Sequence, residues 1–170
     1  MDRRCAFSIL PVLLAWHEMP AMAQSAQNTS GPWRLGDIVV EQAWARLGSD
    51  ASKTCAVYLT VHNKSANDDY LFAVFSSASQ TTAIHETQVL DGVARMEPIP
   101  GGLDMRSHSE VIMRPGGFHI MLSGLSGAVT PGSMLPVSMV FREAGTLEFE
   151  VPVLPLGAAD PTVNHKGHGS

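Results

Sequence analysis

Nitrogen and sulfur donors recur along this chain at spacings that suit β-strands. His119-Ile120-Met121 follows directly on the turn signal Pro115-Gly116-Gly117. In an extended strand, residues i and i+2 point to one face, so His119 and Met121 are expected to project together. His85 ends a second strand-like run and Met96 ends a third. If those runs lie beside the first as antiparallel neighbours, His85, Met96, His119 and Met121 form one imidazole and thioether set. Such a set is soft and uncharged. It suits Cu(I), which has a filled d shell and accepts imidazole and thioether in trigonal or tetrahedral arrangements. Zn(II) sites use Cys, His or carboxylate instead. Ca(II) and Mg(II) require oxygen donors. A thioether has no proton to lose and forms no disulfide, an advantage in an oxidising compartment. A plainer reading stays open on spacing alone: Met is a flexible core filler, and a strand histidine can satisfy itself by hydrogen bonding.

Other candidate donors carry less. Met113 alternates toward a core position, whereas Met105 lies in the looser stretch Gly101-Gly102-Leu103-Asp104-Met105 and is a spare soft ligand or core. His62 stands at a strand end beside a turn, and His108 falls in a polar loop. His165 and His168 lie in the tail, where imidazole would suit a weak auxiliary Cu(II) site; the alternative is a loose end with incidental histidines. Glu148 and Glu150 flank Phe149 as the exposed positions of an alternating strand. Nothing near them supplies a partner for acid–base work.

The elements that must position these residues are strands. Candidates run from Ile38 to Arg46, Thr54 to Val61, Tyr70 to Phe75, Thr81 to His85, Val93 to Met96, Glu110 to Met113, Phe118 to Leu122, Leu135 to Phe141 and Leu147 to Val153. Clusters of Gly, Pro, Asn and Asp separate them, and no segment holds a capped 3.6-residue apolar stripe. This pattern predicts an all-β sandwich or barrel. Pro136 and Pro152 fall inside two of the runs, so those strands are expected at edges or to begin there.

Composition bounds the function. The 170 residues are 45% hydrophobic and 16% charged with a net charge of -5, which fits one folded domain and no nucleic-acid partner. The N-terminus reads as a secretory signal peptide. Arg3-Arg4 precede an apolar run from Cys5 to Trp16, and Ala21-Met22-Ala23 forms a cleavage site. Cys5 does not sit at that site, which argues against lipid anchoring through it. The run is also too short, and is interrupted by Pro11, for stable membrane insertion. The expected organisation is a signal peptide over 1–23, a flexible lead-in over 24–35, one domain over 36–156 and a flexible His-containing tail over 157–170. Cleavage would leave Cys55 as the one cysteine, with no internal disulfide, in an apolar strand where an inert buried thiol is expected.

The sequence resembles the periplasmic copper chaperones of the PCu(A)C type. Trp44-Ala45-Arg46 and Ala56-Val57-Tyr58-Leu59-Thr60-Val61 followed by Asn63 are similar to the family's early strands. Pro115-Gly116-Gly117-Phe118-His119-Ile120-Met121-Leu122 followed by Gly124-Leu125 is similar to its most distinctive stretch, and Pro131-Gly132, Leu135 to Phe141 and Ala144-Gly145 to its C-terminal strands. The resemblance spans Ile38 to Val153. The family's motif is His, Met eleven positions on, and His-x-Met after a longer gap. Here Met96 follows His85 by eleven positions and His119 follows Met96 by twenty-three. Some members carry Met after the first His; this chain has Glu86.

The resemblance implies a cupredoxin-like Greek-key β-sandwich that holds Cu(I) near its surface through His85, Met96, His119 and Met121. It also implies a periplasmic chaperone, not an enzyme, whose partners are a copper ion and the copper-receiving subunit of a respiratory oxidase or another copper chaperone. The destination it implies is the binuclear copper centre of cytochrome c oxidase subunit II. Competing classes are a copper tolerance or storage protein, a metal-free β-sandwich adaptor, and a cupredoxin electron carrier. The last needs a His₂Cys site with an axial Met.

Overall fold

The computed structural model describes residues 31–49, 53–126 and 129–161. The signal peptide expected over 1–23, and the auxiliary candidates His165 and His168, lie outside the described residues. Eleven strands run in order among them: β1 (Trp33–Leu35), β2 (Ile38–Leu47), β3 (Thr54–Asn63), β4 (Asp69–Phe75), β5 (Ser79–Leu90), β6 (Val93–Pro98), β7 (Leu103–Met105), β8 (Ser109–Met113), β9 (Phe118–Leu125), β10 (Met134–Phe141) and β11 (Gly145–Leu154).

They form an all-β, cupredoxin-like sandwich. One layer runs β6-β5-β9-β3-β2, with β8 on β3 and β1 on β2; the other runs β11-β10-β4-β7. A short parallel pairing of β11 with β2 joins the layers along one side. Alternation decides which side chains meet between them. Val57, Leu59, Ile120 and Leu122 from the first layer pack against Leu135, Val137, Phe149 and Val151 from the second. In β11 the alternation is complete: Leu147, Phe149 and Val151 are buried, whereas Glu148 and Glu150 face solvent.

Several expectations need correction. The lead-in expected over 24–35 is structured at its end, because Trp33–Leu35 pairs with Ile38–Val40 and the Trp33 ring packs 4.9 Å from that of Phe149. The folded unit therefore includes residues before 36. β7 was not apparent in the sequence, and β5 is far longer than the run from Thr81 to His85. The two proline-containing strands are interior, and each proline sits where a neighbouring ladder is absent. The Pro136 carbonyl accepts the Ser76 hydroxyl at 2.6 Å, and β4 pairs with β10 only from Ser138 onward. Pro152 precedes the pairing of β11 with β2, which begins at Val153. No ladder hydrogen bond is lost at either position.

β2 carries one residue more than β3 opposite it, with the register shifting between Glu41 and Trp44. Gln42 takes up the extra length with φ 56. This bulge lets Glu41 and Trp44, three residues apart, share the outer face of the first layer.

Candidate metal centre

Strand register assembles the predicted donors. β5 and β9 run antiparallel with His85 opposite His119 and Ala83 opposite Met121. β5 and β6 form a hairpin with Thr87 opposite Met96. His85 and Thr87 share a face, as do His119 and Met121, so all four donors lie on one face of three adjacent strands. It is the outer face, since the intervening Ile84 and Ile120 enter the core.

The hairpin follows from local chemistry. Asp91 and Gly92 have φ 52 and φ 78, the double left-handed conformation of a type I′ turn. It returns β6 alongside β5 and sets Met96 diagonal to His85. β6 is the outermost strand of its layer, and Met96 is accordingly 59% exposed. Met121 has Ala56 opposite on β3 and Ala83 opposite on β5. These short neighbours leave its thioether room beside His119.

The two imidazoles stack with ring centroids 5.8 Å apart and planes 22° apart. Each is oriented by a carbonyl two residues earlier in its own strand. His119 Nδ1 lies 3.1 Å from Gly117 O, and His85 Nδ1 lies 3.4 Å from Ala83 O. A carbonyl only accepts, so Nδ1 carries the proton and Nε2 presents its lone pair in the neutral ring. His119 is 2% exposed, and its Nε2 is buried without a hydrogen-bond partner among the described residues. Burial lowers the His119 pKa from the ordinary imidazole value; the Gly117 carbonyl opposes the shift and the neighbouring His85 adds to it. The ring is thus held neutral, as a nitrogen ligand must be.

This donor set fits a soft ion. Among the described residues, no group of three or more His, Cys, Asp or Glu side chains gathers for a metal. The local cluster supplies two imidazoles, and the thioethers of Met96 and Met121 share their face of the sheet. Cys55 cannot complete a His₂Cys centre. It enters the core, on the sheet face opposite the histidines, and burial pushes its thiol up to about 12.

The secondary candidates fall elsewhere. Met105 and Met113 are both core residues, so Met105 is no spare ligand. His62 sits between carboxylates, its Nε2 2.9 Å from Glu41 and its Nδ1 3.2 Å from Glu110. His108 is exposed with φ 51. Sequence reasoning missed Trp44, Arg46 and Tyr58 as neighbours of the centre. Their alternation with core residues is a signal that could have marked them as outward-facing; their proximity to His119 depends on strand order.

Comparisons with known proteins agree with this architecture. The LpqE-like family, described as "Putative lipoprotein LpqE-like", matches residues 38–153. A protein of Leifsonia xyli subsp. xyli described as a "Putative lipoprotein" is 29% identical over 150 residues, covering 88% of this chain and 84% of its own length. Among solved structures, the copper-bound PCuAC domain from PmoF2 superposes with a TM-score of 0.60 at 23% identity, covering 72% of this chain and 97% of that one. The Cu(I) form of DR1885 from Deinococcus radiodurans gives 0.57 at 23% identity, covering 81% and 95%. The fold of the PCuAC domains carries over to this sequence, and the chain belongs to the LpqE-like family.

Proposed function

We propose that this protein is a periplasmic Cu(I) chaperone that binds copper through His85, Met96, His119 and Met121 and delivers it to a respiratory oxidase. The observation that carries the reading is the buried, unpartnered Nε2 of His119, stacked beside His85 with two thioethers on the same face. A buried nitrogen with no partner costs about 1–3 kcal/mol. A metal ion relieves that cost, and the neutral His and Met set selects a soft one. The copper-bound and Cu(I) states named for structures of the same fold support the choice of ion.

The graded burial of the donors suits a carrier. His119 would anchor the ion from beneath, while Met96, on an exposed edge strand, is the donor an incoming ligand displaces first. Transfer then proceeds by ligand exchange, with no covalent bond made or broken in either protein, so the role is not enzymatic. The proposed acceptor is the binuclear copper centre of cytochrome c oxidase subunit II, and the proposed address is the periplasm. The lipoprotein descriptions of the family and of its relative favour a place in the cell envelope.

An anaerobic competition titration with Cu(I) tests the reading. One tight equivalent is expected, lost in the His119→Ala/Met121→Ala double variant. A variant that binds Cu(I) as tightly as the parent would overturn it. Transfer from the loaded protein to a purified acceptor domain then tests delivery.

A further inference from the structure

The outer face holds a second group of side chains that the four donors do not account for. Trp44 and Tyr58 oppose each other across β2 and β3, with ring centroids 4.6 Å apart. Tyr58 in turn meets His119 at 6.1 Å. Arg46 sets its guanidinium carbon 5.7 Å from the Trp44 and Tyr58 ring centroids, and its Nη2 lies 3.5 Å from the Tyr58 hydroxyl. With the His85–His119 stack, the row Trp44, Tyr58, His119, His85 crosses four neighbouring strands. Trp44 and Tyr58 are 2% and 6% exposed, yet neither belongs to the interlayer core.

Tyr58 and His85 sit on neighbouring strands to either side of His119. With Tyr58 packed there, water is kept from that flank and the imidazole cannot swing toward β3. These restrictions do not weigh equally on the two oxidation states of copper. Cu(I) accepts the soft donors present, whereas Cu(II) favours tetragonal nitrogen and oxygen ligation. A dry wall that fixes His119 denies Cu(II) the added water and rearrangement. The Arg46 charge acts in the same sense, because it repels a doubly charged ion about twice as strongly as a singly charged one at the same distance.

We propose that Tyr58, clamped by Trp44 and Arg46, is a positioning residue for His119 and sets the preference of this centre for Cu(I) over Cu(II). The proposal rests on the copper reading above. Its test measures Cu(I) and Cu(II) affinities separately for the parent, Tyr58→Leu, Tyr58→Phe and Arg46→Gln, with the electron paramagnetic resonance spectrum of each Cu(II) form. Tyr58→Leu is expected to shift discrimination toward Cu(II) about tenfold, equivalent to ~59 mV for one electron, and its spectrum should show altered equatorial ligation. Tyr58→Phe keeps the ring and should retain most of the parent's preference. Arg46→Gln, a partly buried position at the sheet surface, should move in the direction of Tyr58→Leu and carries the test if that variant does not fold. An unchanged Cu(II)/Cu(I) ratio in Tyr58→Leu, or in Arg46→Gln where it stands in, overturns this proposal alone, provided the parent binds Cu(I). A parent that binds no Cu(I) overturns the copper reading and this proposal with it.

Discussion

Replacing His119 by Leu should make the copper-free protein more stable while removing its affinity for copper. The imidazole is 2% exposed and its Nε2 is unpartnered. Relief of that orphaned nitrogen is worth about 1–3 kcal/mol. Against it stands the lost bond from Nδ1 to Gly117 O, about 0.5–1.5 kcal/mol. That carbonyl is not stranded, because it also accepts the Thr87 amide at 3.1 Å. Leucine is close to histidine in volume, which limits repacking costs. The net expectation is a gain of about 1 kcal/mol, or roughly 3–5 °C in Tm for a domain of this size. Cu(I) reverses the order. At a free concentration one hundred times its Kd the parent gains about 2.7 kcal/mol, and the variant gains little. Anaerobic thermal denaturation of both proteins, with and without Cu(I), reads both effects. A copper-free Leu variant less stable than the parent by more than 1 kcal/mol would refute the reasoning, because Nε2 would then have a partner or the ring would be essential packing.

Three further outcomes follow from the same geometry. Met96→Ala, at a 59% exposed position, should change stability by less than about 0.5 kcal/mol and weaken Cu(I) binding tenfold or more, measured by competition titration. The pKa of His119 is lowered in the folded state. Below about pH 6.5 the unfolded chain therefore binds a proton that the native ring refuses. The stability that neutral His119 allows is complete above that value and is lost as pH falls toward the lowered folded pKa, and denaturation midpoints across pH 7 to 4 should fall less in His119→Leu than in the parent. Cys55, with its thiol pushed up to about 12, should resist alkylation in the native protein at pH 8 and react at once in denaturant; rapid native labelling would place it at the surface.

The sequence made the candidate donors visible for a geometric reason and hid their arrangement for another. The pairing of His119 with Met121 needs only the two-residue repeat of a strand. The meeting of His85 with His119 needs the register of β5 on β9, set by Ile84 and Ile120 entering one core from distant parts of the chain. The hairpin that presents Met96 had a local signal in Asp91-Gly92, but its second strand is exposed throughout and offers no alternation to read. β1 and β7 have three residues each, too few to show a period. Pro136 and Pro152 suggested edges because a proline breaks a ladder; the structure satisfies that rule at single residues within interior strands. Tyr58 was legible as an outward residue on β3, yet its contact with His119 arises only because β9 packs beside β3.

The bulge in β2 bears on how related chains can be compared. Gln42 and Ala43 together face the one position occupied by Leu59, since Glu41 pairs with Thr60 and Trp44 with Tyr58. Removing Gln42 would leave Glu41, Ala43 and Trp44 opposite Thr60, Leu59 and Tyr58, each still on its present face. Removing Ala43 instead would bring Gln42 opposite Leu59 and turn a polar side chain toward the core. Chain length at position 42 can thus differ by one between relatives at no cost to the core, and a gap placed there in an alignment keeps Ala43 and Trp44 in correspondence where a gap two residues later would not.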